Sequence, residues 1–254
     1  GAPATDTFRQ LAESYTTSDF GELFQYNNLM ASAAGYLGGS LAYPDMELGA
    51  AFDRAMDERV FEPLAMVDTT FDFDAAMTGN WARPHGLDVD GQVHVISNDF
   101  NRTVEPHRPA GGVWSTAADM AHYVQLELSK GLGPDGKRVV SEENLLERRK
   151  RGVPVGENSW YGMLGYRSNF FALPEANIGA VILTNADSGA AMIDPFFRRL
   201  MEVLYDGKPE AASEIAVIGE RIKTQTAKRR TELALPGDPD VLDNLASKYV
   251  SPGI

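Results

Sequence analysis

The chain has 254 residues, 43% of them hydrophobic and 9% aromatic, enough for one large globular domain and unlike a disordered chain. A formal net charge of −13 argues against nucleic acid or an anionic membrane as partner, because both demand concentrated Lys and Arg. With no cysteine there is no disulfide, no thiolate zinc site and no cysteine nucleophile. The lack of thiols suits an export route, so a periplasmic or secreted location is expected, with a cytoplasmic one left open.

In chain order, residues 8–17 read as a short helix and Ser18-Asp19-Phe20-Gly21 as a turn. From Asn28 to about Leu41 the apolar set Leu29, Met30, Ala33, Ala34 and Leu37 recurs at helical spacing. Ala31, Ser32, Gly35 and Gly38 fill the gaps, so the pattern predicts a helix buried on most sides. A second amphipathic helix is expected from about Leu48 to Phe61, stopping before Pro63. Residues 63–112 are rich in turns, with short strands expected at 71–73 and 92–96.

Thr116-Ala117-Ala118-Asp119 has the form of a capping box ahead of a helix ending near Lys130. The segment Gly131 to Lys137 matches G-x-G-x-x-G by letter, yet a helix precedes it and Val139-Val140 follows as an expected strand. A phosphate-binding turn needs the reverse order, and Pro134 removes an N–H donor, so a plain turn is predicted. Tyr166–Leu173 and Ile178–Thr184 read as a hairpin joined by Pro174-Glu175-Ala176-Asn177. Amphipathic helices are expected at 193–205 and 213–230, the latter with Lys228, Arg229 and Arg230 in its last turn. Pro236-Gly237-Asp238-Pro239 reads as a linker. No run approaches the ~18 apolar residues of a membrane span.

Few residues carry a chemical signal. His85, His94, His107 and His122 show no i, i+4 pair, so they read as surface or loop residues and no metal is expected. Asn101-Arg102-Thr103 satisfies the glycosylation sequon, a common and uninformative tripeptide. Tyr26-Asn27-Asn28 is more telling. A phenol two residues before an asparagine that opens a helix can shuttle a proton, while the amide holds a substrate amide or ester. The plain alternative makes Asn28 the helix N-cap and Tyr26 an aromatic anchor.

Context separates the two. Phe24-Gln25-Tyr26-Asn27-Asn28-Leu29-Met30 resembles the Y-x-N segment of class C β-lactamases and related penicillin-binding proteins and esterases. Phe61 to Thr70 resembles the family's "PLGM-x-x-T" stretch, with Ala65 in place of the usual glycine, and Pro109 to Met120 resembles its "AGG-x-x-S-T-x-x-D" stretch. Gly165 to Glu175 and Ile178 to Asn185 resemble its closing hairpin. The resemblance covers about residues 20–205 in order.

It implies an α/β (α+β) fold of β-lactamase/transpeptidase type: an antiparallel sheet flanked by helices beside a mostly helical subdomain, with the N-terminal part missing. Residues 1–207 would be a partial family domain, 208–235 a connecting helix, and 236–254 a linker and the start of a truncated β-rich domain. In such proteins the serine of S-x-x-K attacks an acyl carbon, and a K-T-G or H-x-G strand lines the pocket. The implied roles are proton transfer for Tyr26 and substrate-amide binding for Asn28, acting on a small-molecule or peptide substrate without metal or organic cofactor. No serine here has a lysine three positions later, and no third motif stands between Met163 and Leu164. Two expectations follow: a serine hydrolase or acyltransferase completed by polypeptide beyond these residues, in the same protein or a complementing chain, or an inactive scaffold that binds.

Overall fold

The computed structural model describes residues 3–19, 21–150, 154–156, 159–160 and 169–245. The N-terminal elements are α1 (Thr5–Glu13), α2 (Asn28–Ala42) and α3 (Leu48–Met56), the last continued by a π-helical turn (Asp57–Phe61). Next come α4 (Phe73–Ala76), β1 (His85–Leu87), β2 (Val93–Val95), a 3₁₀ stretch (Asp99–His107) and α5 (Arg108–Gly111). They are followed by α6 (Ala117–Leu128), α7 (Glu142–Glu147), β3 (Pro154–Gly156), β4 (Ser159–Trp160), β5 (Asn169–Leu173) and β6 (Ile178–Ile182). A 3₁₀ turn (Asp187–Met192), α8 (Ile193–Leu204), α9 (Ala211–Thr231) and α10 (Pro239–Asp243) complete the described chain.

These elements gather into two compact units, residues 1–82 with 97–184 and residues 83–96 with 185–254. The strands pair as three two-stranded antiparallel ribbons, β1–β2, β3–β4 and β5–β6. The antiparallel sense is as expected. The single sheet is not assembled among the described residues, where the three ribbons stand as separate two-stranded pairs.

In the first unit, α2 reverses the expected burial. Its buried residues are Ser32, Tyr36 and Gly39, while Met30, Leu37 and Leu41 are 59%, 54% and 77% exposed. Close approach explains the inversion: a Cβ on Gly39 would stand 2.5 Å from the Phe52 Cα of α3, and one on Gly35 2.4 Å from the Pro109 Cβ of α5. The small face therefore meets neighbouring helices, and the apolar stripe Met30–Ala34–Leu37–Leu41, at i, i+4, i+7 and i+11, faces outward. Tyr36 is fully buried; its hydroxyl donates to the Pro106 carbonyl (2.7 Å), and burial pushes the phenol pKa up.

Two apolar clusters form the core. Tyr36 and Phe52 with Ala4 make one; Phe61, Leu64, Met66, Leu126 and Leu145 make the other, and Met56 and Phe71 pack against both. The rings run Tyr36–Phe52–Phe71–Phe61 with centroids 5.8, 5.0 and 5.6 Å apart. Leu64 and Met66 of the PLGM-like stretch are thus core residues. The helical turn before them ends in paired bonds from Ala65 N to Glu62 O and Met66 N to Phe61 O. Ala65 takes φ 56° there, the left-handed position where helix ends favour glycine.

The hairpin β5–β6 packs on α6. Gly179 permits the contact, since a Cβ there would stand 2.1 Å from Val124 Cγ1, and Tyr123 meets Phe170 edge-on at 5.4 Å. Glu127, buried on α6, is clamped by the Arg148 and Arg149 guanidiniums. Unpaired, that carboxylate would be costly to bury.

In the second unit, β1 pairs with β2, and His85 N donates to Asn185 O (2.8 Å). Glu202 of α8 accepts from the N–H groups of Glu210 and Ala211, both at 2.7 Å. A carboxylate at the α9 N-terminus replaces the missing local cap.

Several expectations are corrected. The first helix begins at Thr5 rather than residue 8 and ends at Glu13, where Ser14 turns extended. Residues 71–73 are not a strand: only Thr70 bridges, to Trp114, and Asp72 caps α4 by accepting from Ala75 N. Val139-Val140 form no strand, since pairing stops at the isolated Leu132–Arg138 bridge. The Gly131–Lys137 segment is the expected turn, and Gly131 (φ 99°) closes the end of α6 by donating to Leu126 O. The linker at 236–239 is partly helical, because Asp238 caps α10 and Pro239 suits its first position.

Candidate functional site

Tyr26 lies in the irregular stretch 23–27 that leads into α2; in the same region Thr17 Oγ1 donates to Gln25 Oε1 at 2.8 Å. Asn27 opens the helix: its backbone is extended (φ −143°, ψ 107°) and its Oδ1 accepts from Met30 N at 3.1 Å. That corrects the plain alternative for Asn28. The adjacent asparagine is the cap, and Asn28 is the first helical residue, exposed. Tyr26 is 56% exposed, so its ring is no buried anchor. Tyr26 and Asn28 are thus both exposed, one just before and one at the start of α2. Tyr36, two turns further along, is the opposite kind of phenol, buried and committed to a backbone carbonyl.

Two of the stretches that carry the family resemblance meet at a buried polar node. Asp119 Oδ2 accepts from Asp68 N (2.8 Å) and from Thr69 Oγ1 (2.7 Å), and Thr69 Oγ1 also bonds Ser115 Oγ (2.8 Å). Thr116 does cap α6, accepting from Asp119 N at 3.1 Å. The Asp119 carboxylate, however, turns from the helix end to hold the PLGM-like stretch. Both motifs are scaffold here, which their spacing alone did not reveal.

The histidines scatter. His94 Nε2 sits 2.8 Å from Asp88 Oδ2 on the surface, His122 Nδ1 contacts Ala65 O (3.1 Å), and His107 Nδ1 contacts Thr7 Oγ1 (3.2 Å). His107 is half-buried in the 3₁₀ stretch, and His122 lies partly exposed on α6. No group of three or more candidate metal ligands occurs among the described residues. Among them, too, no helix is long and apolar enough to cross a membrane. The Met163–Leu164 junction, where the third motif was sought, and residues 246–254 lie outside the described residues.

The family model for β-lactamase matches residues 2–200. The chain belongs to the β-lactamase family, and its fold is of the β-lactamase/transpeptidase type. It is 30% identical over 122 residues to protein Rv1367c of Mycobacterium tuberculosis, covering 42% of this chain and 29% of that protein. It is 24% identical over 179 residues to penicillin-binding protein 4 of Amycolatopsis lactamdurans, covering 60% of this chain and 46% of that one. Among solved structures, the octameric penicillin-binding protein homologue from Pyrococcus abyssi superposes with a TM-score of 0.57 at 18% identity, covering 81% of this chain and 48% of that one. The chain spans less than half the length of these relatives.

Proposed function

We propose that this chain is part of a serine-dependent hydrolase or acyltransferase acting on amide, β-lactam, peptide or ester bonds through an acyl-enzyme. Tyr26 is its proton-transfer residue and Asn28 holds the substrate amide. The observation that carries the reading is an exposed Tyr26 phenol two residues before an Asn28 that does not cap the helix, in a chain of this family. The attacking serine and its lysine come from polypeptide outside these residues, either the same protein or a complementing chain. The outward stripe of α2 supports such a covering segment, because apolar side chains left in water at helical spacing ask for a partner. Its site is the periplasm or the extracellular space.

A fluorophosphonate probe and an intact mass test this on the source protein. A serine labelled outside the 254 residues, in a protein well above their mass, is the expected result. Tyr26→Phe then lowers turnover by about 10²–10⁴-fold, the usual loss for a positioned acid–base group. Unchanged turnover would make Tyr26 a packing residue. A second reading, an inactive binding scaffold, is favoured by one fact: the sequence contains no S-x-x-K. Absence of labelling in a protein of this same mass would establish it. Ester, cephalosporin and D-alanyl substrates, compared on a labelled protein, separate the enzyme classes.

A further inference from the structure

Along its axis, α2 is held by hydroxyls more than by hydrocarbon. Of its three buried residues, Ser32, Tyr36 and Gly39, only Tyr36 carries a large side chain. Gly39 and the partly buried Gly35 let α3 and α5 approach, but with no side chain to interdigitate they set spacing and not axial position. The Tyr36 hydroxyl donates to the Pro106 carbonyl at 2.7 Å, and the Ser32 hydroxyl to the next carbonyl, that of His107, at 3.1 Å. Thr7 of α1 donates to the same Pro106 carbonyl at 3.3 Å and stands 3.2 Å from His107 Nδ1.

The sequence explains why side chains are needed there. In a 3₁₀ turn the Pro106 carbonyl would receive the N–H of residue 109, and Pro109 has none. A buried carbonyl must still be paired, and the fully buried Tyr36 and Thr7 supply the donors. Slippage of α2 would strand the Ser32 and Tyr36 hydroxyls at once, so the two bonds favour a single axial position. Asn28, Ser32 and Tyr36 are spaced i, i+4 and i+8 and share one face of the helix. This polar seam therefore runs from a buried tyrosine through a buried serine to the exposed Asn28, with Tyr26 two residues before it.

We propose that Ser32 and Tyr36 are positioning residues, whose bonds to consecutive carbonyls fix where α2 stands along its axis and so place Asn28 and Tyr26 for acyl transfer. The functional half rests on the hydrolase reading; the axial position is tested without it.

Crystal structures of the intact source protein and of its Ser32→Ala/Tyr36→Phe variant, superposed on α3 and the 3₁₀ stretch, read the axial position. The variant keeps the Tyr36 ring that packs edge-on against Phe52, so apolar packing is retained. In the variant α2 should shift along its axis by about 1 Å or more, and turnover should fall by about 10²-fold, as a displacement of that size costs. In a Tyr26→Phe background the same two substitutions should cost about tenfold less, because one of the groups they place is gone. The limb of the kcat–pH profile that Tyr26 sets should also move, which lost stability alone would not cause. Gly136→Ala, a substitution in the turn after α6, should change none of these. An unmoved α2 overturns the proposal outright. So do full turnover, an equal loss in the Tyr26→Phe background, or an unmoved pH limb in a variant whose α2 has shifted. If Tyr26→Phe by itself leaves turnover unchanged, the hydrolase reading fails, and the axial shift still decides for or against the seam.

Discussion

Removing the Asp119 carboxylate should be among the most damaging single changes in the first unit. Asp119 is 3% exposed and Thr69 8%, so neither can recruit bulk water. Asp119→Ala deletes two charge-assisted bonds, from Asp68 N and Thr69 Oγ1, at about 1.5–3 kcal/mol each. The Thr69 hydroxyl already bonds Ser115 and can reverse that bond's direction, keeping its own proton paired and offsetting about 1 kcal/mol while Ser115, partly exposed, turns to water. The Asp68 N–H has no such second choice. The net loss is about 2–5 kcal/mol, whereas Asp119→Asn keeps an acceptor and forfeits the charge, for about 1–2 kcal/mol. Chemical denaturation followed by circular dichroism measures both. A double-mutant cycle with Thr69→Val should give a coupling of about 1–2 kcal/mol. An Asp119→Ala loss below about 1 kcal/mol, or equal losses for Ala and Asn, would refute the argument that this node joins the two motifs.

Other outcomes follow from backbone and caps. Ala65→Gly should stabilise by up to about 1 kcal/mol, because relief of left-handed strain exceeds glycine's added chain entropy; thermal melting reads it. Gly131→Ala should cost at least about 2 kcal/mol, since a Cβ would stand 2.1 Å from Val140 O as well as occupy a left-handed backbone. Gly136→Ala, at φ 77° with nothing within 4 Å, should cost about 1 kcal/mol in the same denaturation assay. Glu47 caps α3, and bonds from the Gly49 and Ala50 N–H groups lower its pKa. A lowered folded-state pKa gives stability that is full above the usual glutamate range and lost as pH falls through the folded value. Glu47→Gln should therefore be less stable than the parent at neutral pH, and the gap should close on acidification.

Where local chemistry is strong, the sequence was enough. The α6 start at Thr116, the β5–β6 hairpin with its Pro174–Asn177 turn, α8 and the basic end of α9 all stand within a few residues of where caps, alternation and turn residues put them. Caps and turns act over three or four residues, so one segment contains the whole interaction. The candidate site was legible in the same way, as a tyrosine before a helix start. Choosing between Asn27 and Asn28 as cap required the backbone, since either residue type can serve.

What the residues determined by themselves is the family, through motifs kept in order, and the placement of helices and turns along the chain. What only the tertiary structure decided is which face of each helix is inside. On α2, Gly35 and Gly39 bring backbones within reach, so the small face packs and the leucines point out. The Asp119 carboxylate likewise bonds Thr69, fifty positions away in the chain, a partner that spacing along the sequence does not announce. Periodicity reports that a face exists. Which partner it meets depends on contacts between segments distant in the chain.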